Sequence, residues 1–295
     1  MNRAIEEIDV REWSGAADDG AGGNGRRPVE ALEGGQVLLF PRLAFALEER
    51  ERGYLTPAVL AKSKNVSFNP ATGKAGGTSL EGAEREGLAT MMSRFSASAK
   101  DLVDGLLPEY RGKIGLGRTS FRPAEIAGRA SSWRKNDTLL HIDAFPSTPT
   151  HGDRILRLFC NVNAEGKPRV WRVGEHFERV AERFAPGLRR PGWGSSTMLR
   201  LLGITKSRRT EYDHLMLELH DAMKQDSQYQ GQVEHTQCEF PSGSAWAVFV
   251  DSVSHAAMSG QHQLEQTFYL PLSAMHAESH APLRVLERRL GRRLA

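Results

Sequence analysis

The chain has 295 residues, with 39 Lys or Arg against 36 Asp or Glu and a net charge of +3, so no strong overall field draws it to nucleic acid. Its two cysteines, Cys160 and Cys238, are too few for a disulfide framework and sit in apolar or strand-like runs, which suits a reducing compartment. No apolar run approaches the ~20 residues that span a bilayer, and Met1-Asn2-Arg3-Ala4-Ile5-Glu6-Glu7 lacks the apolar core of a signal peptide, so a soluble cytoplasmic protein is expected.

Residues 14–28 are dominated by Gly, Ala, Asp and Arg and offer little apolar area to offset ordering entropy, so residues 1–36 are expected to form a disordered leader. The folded part is expected to begin at Val37-Leu38-Leu39-Phe40-Pro41. Residues 42–107 read as mostly helical, with Leu88, Met91, Met92, Phe95, Leu102 and Leu106 at helical spacing and a polar, Gly-rich loop from Ser63 to Gly77. From residue 113 the pattern changes to strands, predicted over 113–122, 138–145, 154–163, 168–173, 233–240, 244–251 and 264–272. Helices are predicted over 175–184 and over 211–223, the latter with Thr210 as N-cap. Helices followed by many strands with helical inserts predict an α+β chain with a mostly β core: a double-stranded β-helix (jelly roll, cupin-like) wrapped by helices, spanning residues 37–275. Residues 276–295 form a basic amphipathic segment. Pro282 can start a helix, Leu283, Leu286, Leu290 and Leu294 make a stripe, and Arg284, Arg288, Arg289, Arg292 and Arg293 make a basic face. Such a segment either lies on an anionic membrane surface or packs on the domain with solvated arginines.

The chemistry concentrates in Thr138-Leu139-Leu140-His141-Ile142-Asp143-Ala144-Phe145-Pro146. Residues two apart on a strand share a face, so His141 and Asp143 can aim an imidazole and a carboxylate at one point. His255, at the end of Val248-Phe249-Val250-Asp251-Ser252-Val253-Ser254-His255, is the matching distal histidine. Two histidines and one carboxylate are the facial triad of non-heme iron(II) oxygenases, although zinc, manganese or nickel could also bind. His151, His176, His214, His220 and His235 have no comparable setting.

An oxygenase of this type normally consumes 2-oxoglutarate and O2, and the remote carboxylate of 2-oxoglutarate asks for a cation. Residues 256–267, after His255, hold no arginine, so the cation is expected on the strand that follows His141 and Asp143. Alternation there puts Arg157, Phe159 and Asn161 on one face, which makes Arg157 the first candidate and Arg154 the second, with Asn161, Thr138 and Gln266 as further co-substrate-binding residues. Lys64, Asn65, Arg118, Arg122 and Arg134 are expected to line a cationic mouth suited to an acidic, hydroxyl-rich substrate.

Several motifs together resemble the Kdo 3-hydroxylase family. They are His141-Ile142-Asp143-Ala144-Phe145-Pro146-Ser147, the run from Arg157 to Asn163, the Val170-Trp171-Arg172-Val173-Gly174-Glu175 turn, and Asp251-Ser252-Val253-Ser254-His255-Ala256 with Ser259-Gly260-Gln261 and Leu264-Glu265-Gln266-Thr267-Phe268. The resemblance covers residues 37–275 and implies an iron(II)- and 2-oxoglutarate-dependent dioxygenase of Gram-negative bacteria. It also implies hydroxylation at carbon 3 of 3-deoxy-D-manno-oct-2-ulosonic acid (Kdo) in a Kdo-containing lipid A precursor, giving Ko in the lipopolysaccharide inner core. His141, Asp143 and His255 match the family's metal positions. Peripheral contact with the cytoplasmic face of the inner membrane is the corresponding expectation. Two rivals remain: another hydroxylase of this fold acting on a protein side chain or amino acid, and a non-redox cupin-like binding module.

Overall fold

The computed structural model describes residues 4–15, 27–192 and 195–295. In chain order the elements are β1 (Ile5–Glu7), α1 (Pro28–Glu33), β2 (Val37–Phe40), α2 (Glu49–Arg52), β3 (Val66–Asn69), β4 (Lys74–Gly76), α3 (Gly82–Leu106), β5 (Gly115–Arg122), β6 (Arg154–Asn161), β7 (Arg169–His176), α4 (Phe177–Phe184), α5 (Ser195–Leu201), α6 (Glu211–Gln225), α7 (Ser227–Gln232), β8 (Thr236–Phe240), β9 (Ala245–Phe249), β10 (Val253–Ser259), β11 (Gln263–Leu270) and α8 (Pro282–Leu290). They form an eight-stranded sheet in the order β1-β2-β9-β6-β11-β5-β3-β4 and a three-stranded sheet in the order β10-β7-β8. Two facing sheets with helices outside make the jelly roll expected from the strand pattern.

Alternation along β6 explains the layering. Leu156, Leu158 and Cys160 point to the outer face of the large sheet, where they join Leu88, Met91, Met92 and Phe95 of α3 in one apolar cluster. Ile155 and Phe159 point the other way, between the sheets, with Trp171, Phe240 and Trp246. Trp246 stacks on Phe240 at 4.1 Å between ring centres and on Phe159 at 5.3 Å, which fills the closed end between the sheets. A third cluster covers the outer face of the small sheet with α4, α6, α7 and α8.

Several sequence expectations need correction. The leader is not disordered throughout: β1 pairs in parallel with β2, and α1 starts on Pro28 and buries Val29, Ala31 and Leu32. Three residues of strand carry too short a pattern to be seen in sequence. Residues 1–3 and 16–26 of the expected leader lie outside the described residues. The polar stretch after Ser63 is not all loop, because β3 and β4 form a hairpin that extends the large sheet from β5. Residues 138–145 are not a regular strand either. Only His141 and His255 form a bridge, exchanging N–H···O bonds of 3.0 and 2.9 Å. On its other side, Leu140 gives its N–H to Gln230 Oε1 and accepts from Gln230 Nε2, so a side chain of α7 occupies the place of a neighbouring strand.

The C-terminal helix forms as predicted and ends at Gly291, whose φ of 66° is the left-handed cap. Its stripe does not face outward. Leu283, Val285, Leu286 and Leu294 are buried in the cluster with α4 and α6. Of its arginines, Arg284 is held by Glu278 and Glu287 and Arg292 by Glu211, whereas Arg288, Arg289 and Arg293 are exposed. Insertion of this stripe into a bilayer is therefore not available to the folded chain. No helix among the described residues is long and apolar enough to cross a membrane.

Candidate metal centre

The segment leading to the centre alternates sharply. Leu140 and Ile142 point into the apolar cluster under α6 and α7, together with Ala256 of β10. Their chain neighbours His141 and Asp143, and His255 beside Ala256, therefore point inward, where their ligand atoms all lie within 4.8 Å of one another. Asp143 Oδ1 is 3.5 Å from His141 Nε2 and 3.9 Å from His255 Nε2. Each imidazole is oriented by its own backbone: His141 Nδ1 donates to Leu139 O at 2.7 Å, and His255 Nδ1 donates to Val253 O at 2.9 Å. A carbonyl only accepts, so each Nδ1 carries the proton and each Nε2 lone pair is free for a metal. The His255 ring also stacks on Trp171 at 5.1 Å, which fixes its plane.

The electrostatics favour the ligating states. Burial pushes His141 down to about 4, against the pull of Asp143, and burial likewise lowers His255, so both are neutral near pH 7. Burial alone would raise the Asp143 carboxyl, but the Arg157 guanidinium and the two imidazoles hold it well below the usual carboxylate range. Two neutral imidazoles and one carboxylate, bunched on one side, are a donor set that fits a hexacoordinate divalent metal with open positions.

The triad opens onto a pocket lined by Arg122, Asp137, Arg157, Phe159, Arg169, Trp171, Ala257, Gln263 and Glu265. Arg157 reaches it from β6, as alternation predicts, and pairs with Asp143 Oδ2 at 3.1 Å and Glu265 Oε1 at 3.3 Å. Arg122 pairs with Glu265 at 2.8 Å. Arg169 is different. It is 2% exposed, makes one hydrogen bond of 2.8 Å from Nη1 to Gly260 O, and has no carboxylate partner among the described residues. Burial, and the like charge of Arg122, push it down to about 9, which leaves it charged at neutral pH. Four buried polar atoms without a partner line this one pocket: Arg157 Nε, Arg169 Nε, Trp171 Nε1 and Gln263 Oε1. Such a concentration marks a place meant for a polar ligand.

The remaining expected residues divide. Lys64 lies at the rim and pairs with Asp137 at 3.1 Å; Arg129 pairs with the same carboxylate at 2.6 Å. Arg122, expected at the mouth, is deeper and lines the pocket itself. Arg118 is exposed on the same face of β5, four residues before Arg122. Asn65 bonds its neighbour's carbonyl, Val66 O, at 3.3 Å. Arg134 is exposed, stacked over Trp133 and paired with Asp221 at 2.9 Å.

Four expected co-substrate residues are placed elsewhere. Arg154 is locked to Asp251 and Ser252 by bonds of 2.8, 3.1 and 2.8 Å, three residues from Arg157 and so on the opposite face of β6. Asn161 holds Lys167 O and Phe240 O at the strand end. Gln266 faces the α3 side and accepts from Thr119 Oγ1 at 2.6 Å, whereas its neighbour Glu265 faces the pocket. Thr138 gives both its N–H and its hydroxyl to Asn136 Oδ1, a local turn that occupies its donor. The residues missed were Arg169, Glu265, Gln263 and Asp137. A signal existed for Arg169, since strand alternation puts it on the face of Trp171 and Val173.

A profile of the 3-deoxy-D-manno-oct-2-ulosonic acid (Kdo) hydroxylase family matches residues 18–293. Among solved structures, the Kdo hydroxylase KdoO, a non-heme Fe(II) alphaketoglutarate dependent dioxygenase, is similar throughout. Its complex with alphaketoglutarate and Fe(III) superposes with a TM-score of 0.93 at 40% identity, covering 99% of this chain and 98% of that one. Its cobalt(II) complex gives 0.94 at 40% identity, covering 99% and 97%, and its apo form gives 0.93 with the same identity and coverage. No curated protein sequence matches. A profile match over nearly the whole chain, with like structures of the same coverage, makes the conclusion plain: the chain belongs to the Kdo hydroxylase family.

Proposed function

We propose that this protein is an iron(II)- and 2-oxoglutarate-dependent dioxygenase that hydroxylates carbon 3 of a Kdo residue on lipid A. The observation that carries the reading is the buried triad opening onto a pocket in which Arg157 Nε, Arg169 Nε, Trp171 Nε1 and Gln263 Oε1 lack partners. Charge counting supports the co-substrate. Arg122, Arg157 and Arg169 match Asp137, Asp143 and Glu265 in number, and Lys64 and Arg129 beside Asp137 leave a surplus of positive charge. A divalent iron would add two more positive charges, and 2-oxoglutarate, a dianion, offsets them in a site where burying net charge is costly.

His141, Asp143 and His255 would hold the iron, which when bound would supply activation of O2, one oxygen atom going to succinate as 2-oxoglutarate loses CO2 and the other entering a sugar C–H bond. The chain's own residues supply position and exclusion of water. Arg157 pairs with Oδ2 of Asp143 and so orients that carboxylate beside the two imidazoles. Arg169 takes the far carboxylate of 2-oxoglutarate, because it is the pocket guanidinium without an acidic partner; Arg157, the first choice from sequence, is the second candidate. Phe159 and Trp171 close the dry end. At the mouth Lys64 and Arg129, two cations around the single Asp137 carboxylate, would steer the carboxylate of an acidic sugar. An acceptor carried on lipid A also requires that the protein meet a membrane surface.

The test is a mass measurement. Kdo-lipid A incubated with the protein, Fe(II), 2-oxoglutarate and O2 should gain one oxygen on the Kdo residue with one succinate released per event. Succinate release stimulated by peptides or free amino acids, with Kdo-lipid A unchanged, overturns the substrate assignment.

A further inference from the structure

We propose that the tip formed by α5 and the turn after it is the surface by which this protein docks on an anionic lipid bilayer. Among the described residues five large apolar side chains are exposed, and four of them fall within seven positions: Met198 at 58%, Leu201 at 83%, Leu202 at 66% and Ile204 at 51%. Single exposed apolar residues are ordinary, but a run of this density is not. The tip is built rather than frayed. Gly203 adopts φ 68°, its N–H donates to Arg200 O at 3.0 Å, and Ile204 N–H reaches back to Leu199 O at 3.0 Å. This is the glycine-capped helix end that turns the chain back, and it sets Ile204 beside the leucines.

Charge identifies the occupant. Residues 185–210 contain six Lys or Arg (Arg189, Arg190, Arg200, Lys206, Arg208 and Arg209) and no Asp or Glu. Arg189, Arg190, Arg200, Lys206 and Arg208 are exposed. Exposed apolar residues flanked in sequence by exposed cations match a bilayer with anionic headgroups, where the side chains enter the acyl boundary and the cations stay at headgroup level. A neutral protein groove would have no use for six cations on a segment without an acid, of which Arg190 lies 3.9 Å from Glu211.

The tip is also tied to the metal centre. Lys206 N–H donates to Ser147 O at 3.0 Å, and Arg209 bonds Pro146 O, in the loop that leaves the metal ligand Asp143. Docking at α5 would therefore bring the bilayer to the loop beside the site. That link to a lipid-borne acceptor rests on the proposed function; the docking itself does not.

The experiment is co-sedimentation of the full chain with vesicles of phosphatidylcholine alone or with phosphatidylglycerol. Wild type should bind the anionic vesicles, less so as salt rises. The double variant Leu201→Ser, Leu202→Ser should partition at least about tenfold more weakly, from loss of two apolar side chains, with an unchanged melting temperature. The pair Arg200→Gln, Lys206→Gln should remove the preference for phosphatidylglycerol. With turnover as a second readout, the leucine variant should slow on Kdo-lipid A in vesicles and keep the wild-type rate on a soluble, deacylated Kdo acceptor. Equal vesicle binding by wild type and the leucine variant overturns the proposal. So does sedimentation equilibrium showing a wild-type dimer that the leucine variant converts to monomer, since a second copy would then cover the patch. Absence of turnover on both acceptors, with vesicle binding as expected, sinks the hydroxylase reading and not the docking.

Discussion

Arg154 and Arg169 are both strand arginines buried to within 2% of full coverage, yet their surroundings are opposite. Arg154 makes two bonds to Asp251 and one to Ser252, and it lies 4.0 Å over the Phe249 ring. Arg169 makes one bond to a carbonyl and leaves Nε without a partner. The first is saturated, so its charge is used to hold the closing strands together. The second is deficient by one anion, in a pocket that opens onto three metal-ligating side chains. Burial by itself therefore does not separate a structural cation from a binding one; the inventory of unmet donors does.

The largest effect should come from the triad itself. His141→Ala, Asp143→Ala and His255→Ala should each abolish turnover and bound iron, measured by metal analysis and succinate release, while the fold persists on its apolar neighbours Leu140, Ile142 and Ala256. Retained turnover in any one of them breaks the assignment. The two arginines should then part company in urea unfolding. Arg154→Met leaves Asp251 buried and unpaired and should cost about 3–5 kcal/mol, whereas Arg169→Met removes an unpaired charge and should be neutral or stabilising. Equal destabilisation by both would erase the contrast.

The two apolar stripes outside the site allow the same comparison. Leu286 of α8 is fully buried, so Leu286→Ala should cost about 2–5 kcal/mol. Leu201 of α5 is 83% exposed, so Leu201→Ser should change stability by no more than about 0.5 kcal/mol. A pH effect of up to about 3 kcal/mol should follow from His141, which is lowered from 6.5 to about 4 in the fold. Between those values the unfolded chain binds a proton that the folded chain refuses. Stability of the iron-free protein should thus fall as pH drops through 6.5 toward 4, and His141→Gln should flatten that slope. A slope unchanged by the substitution would assign the acid sensitivity to other groups.

The triad was legible because its two near residues alternate with Leu140 and Ile142, and a period of two is a local signal. The strands β5, β6, β7, β8, β9 and β11 were legible for the same reason, to within a few residues at their ends, whereas β1, β2, β3, β4 and β10 lay outside the predicted strands. The satisfaction of each arginine was not legible, since the partner that saturates Arg154 lies 97 residues away. The last strand shows a related failure. Gln266 and Glu265 are neighbours, and a register choice of one residue decides which faces the pocket. Similarly, the leucines of α8 announced an amphipathic helix without naming the surface that would cover them, and the α4 and α6 cluster does so.

The most direct test of this contrast is an anaerobic titration of 2-oxoglutarate into the iron-loaded protein, wild type against Arg169→Met and Arg157→Met. Loss of a charge-assisted, bidentate contact of roughly 3 kcal/mol corresponds to about a hundredfold weaker binding. The expected result is that loss in Arg169→Met with iron content unchanged. Undiminished 2-oxoglutarate affinity in Arg169→Met, with the loss appearing in Arg157→Met instead, would contradict the account.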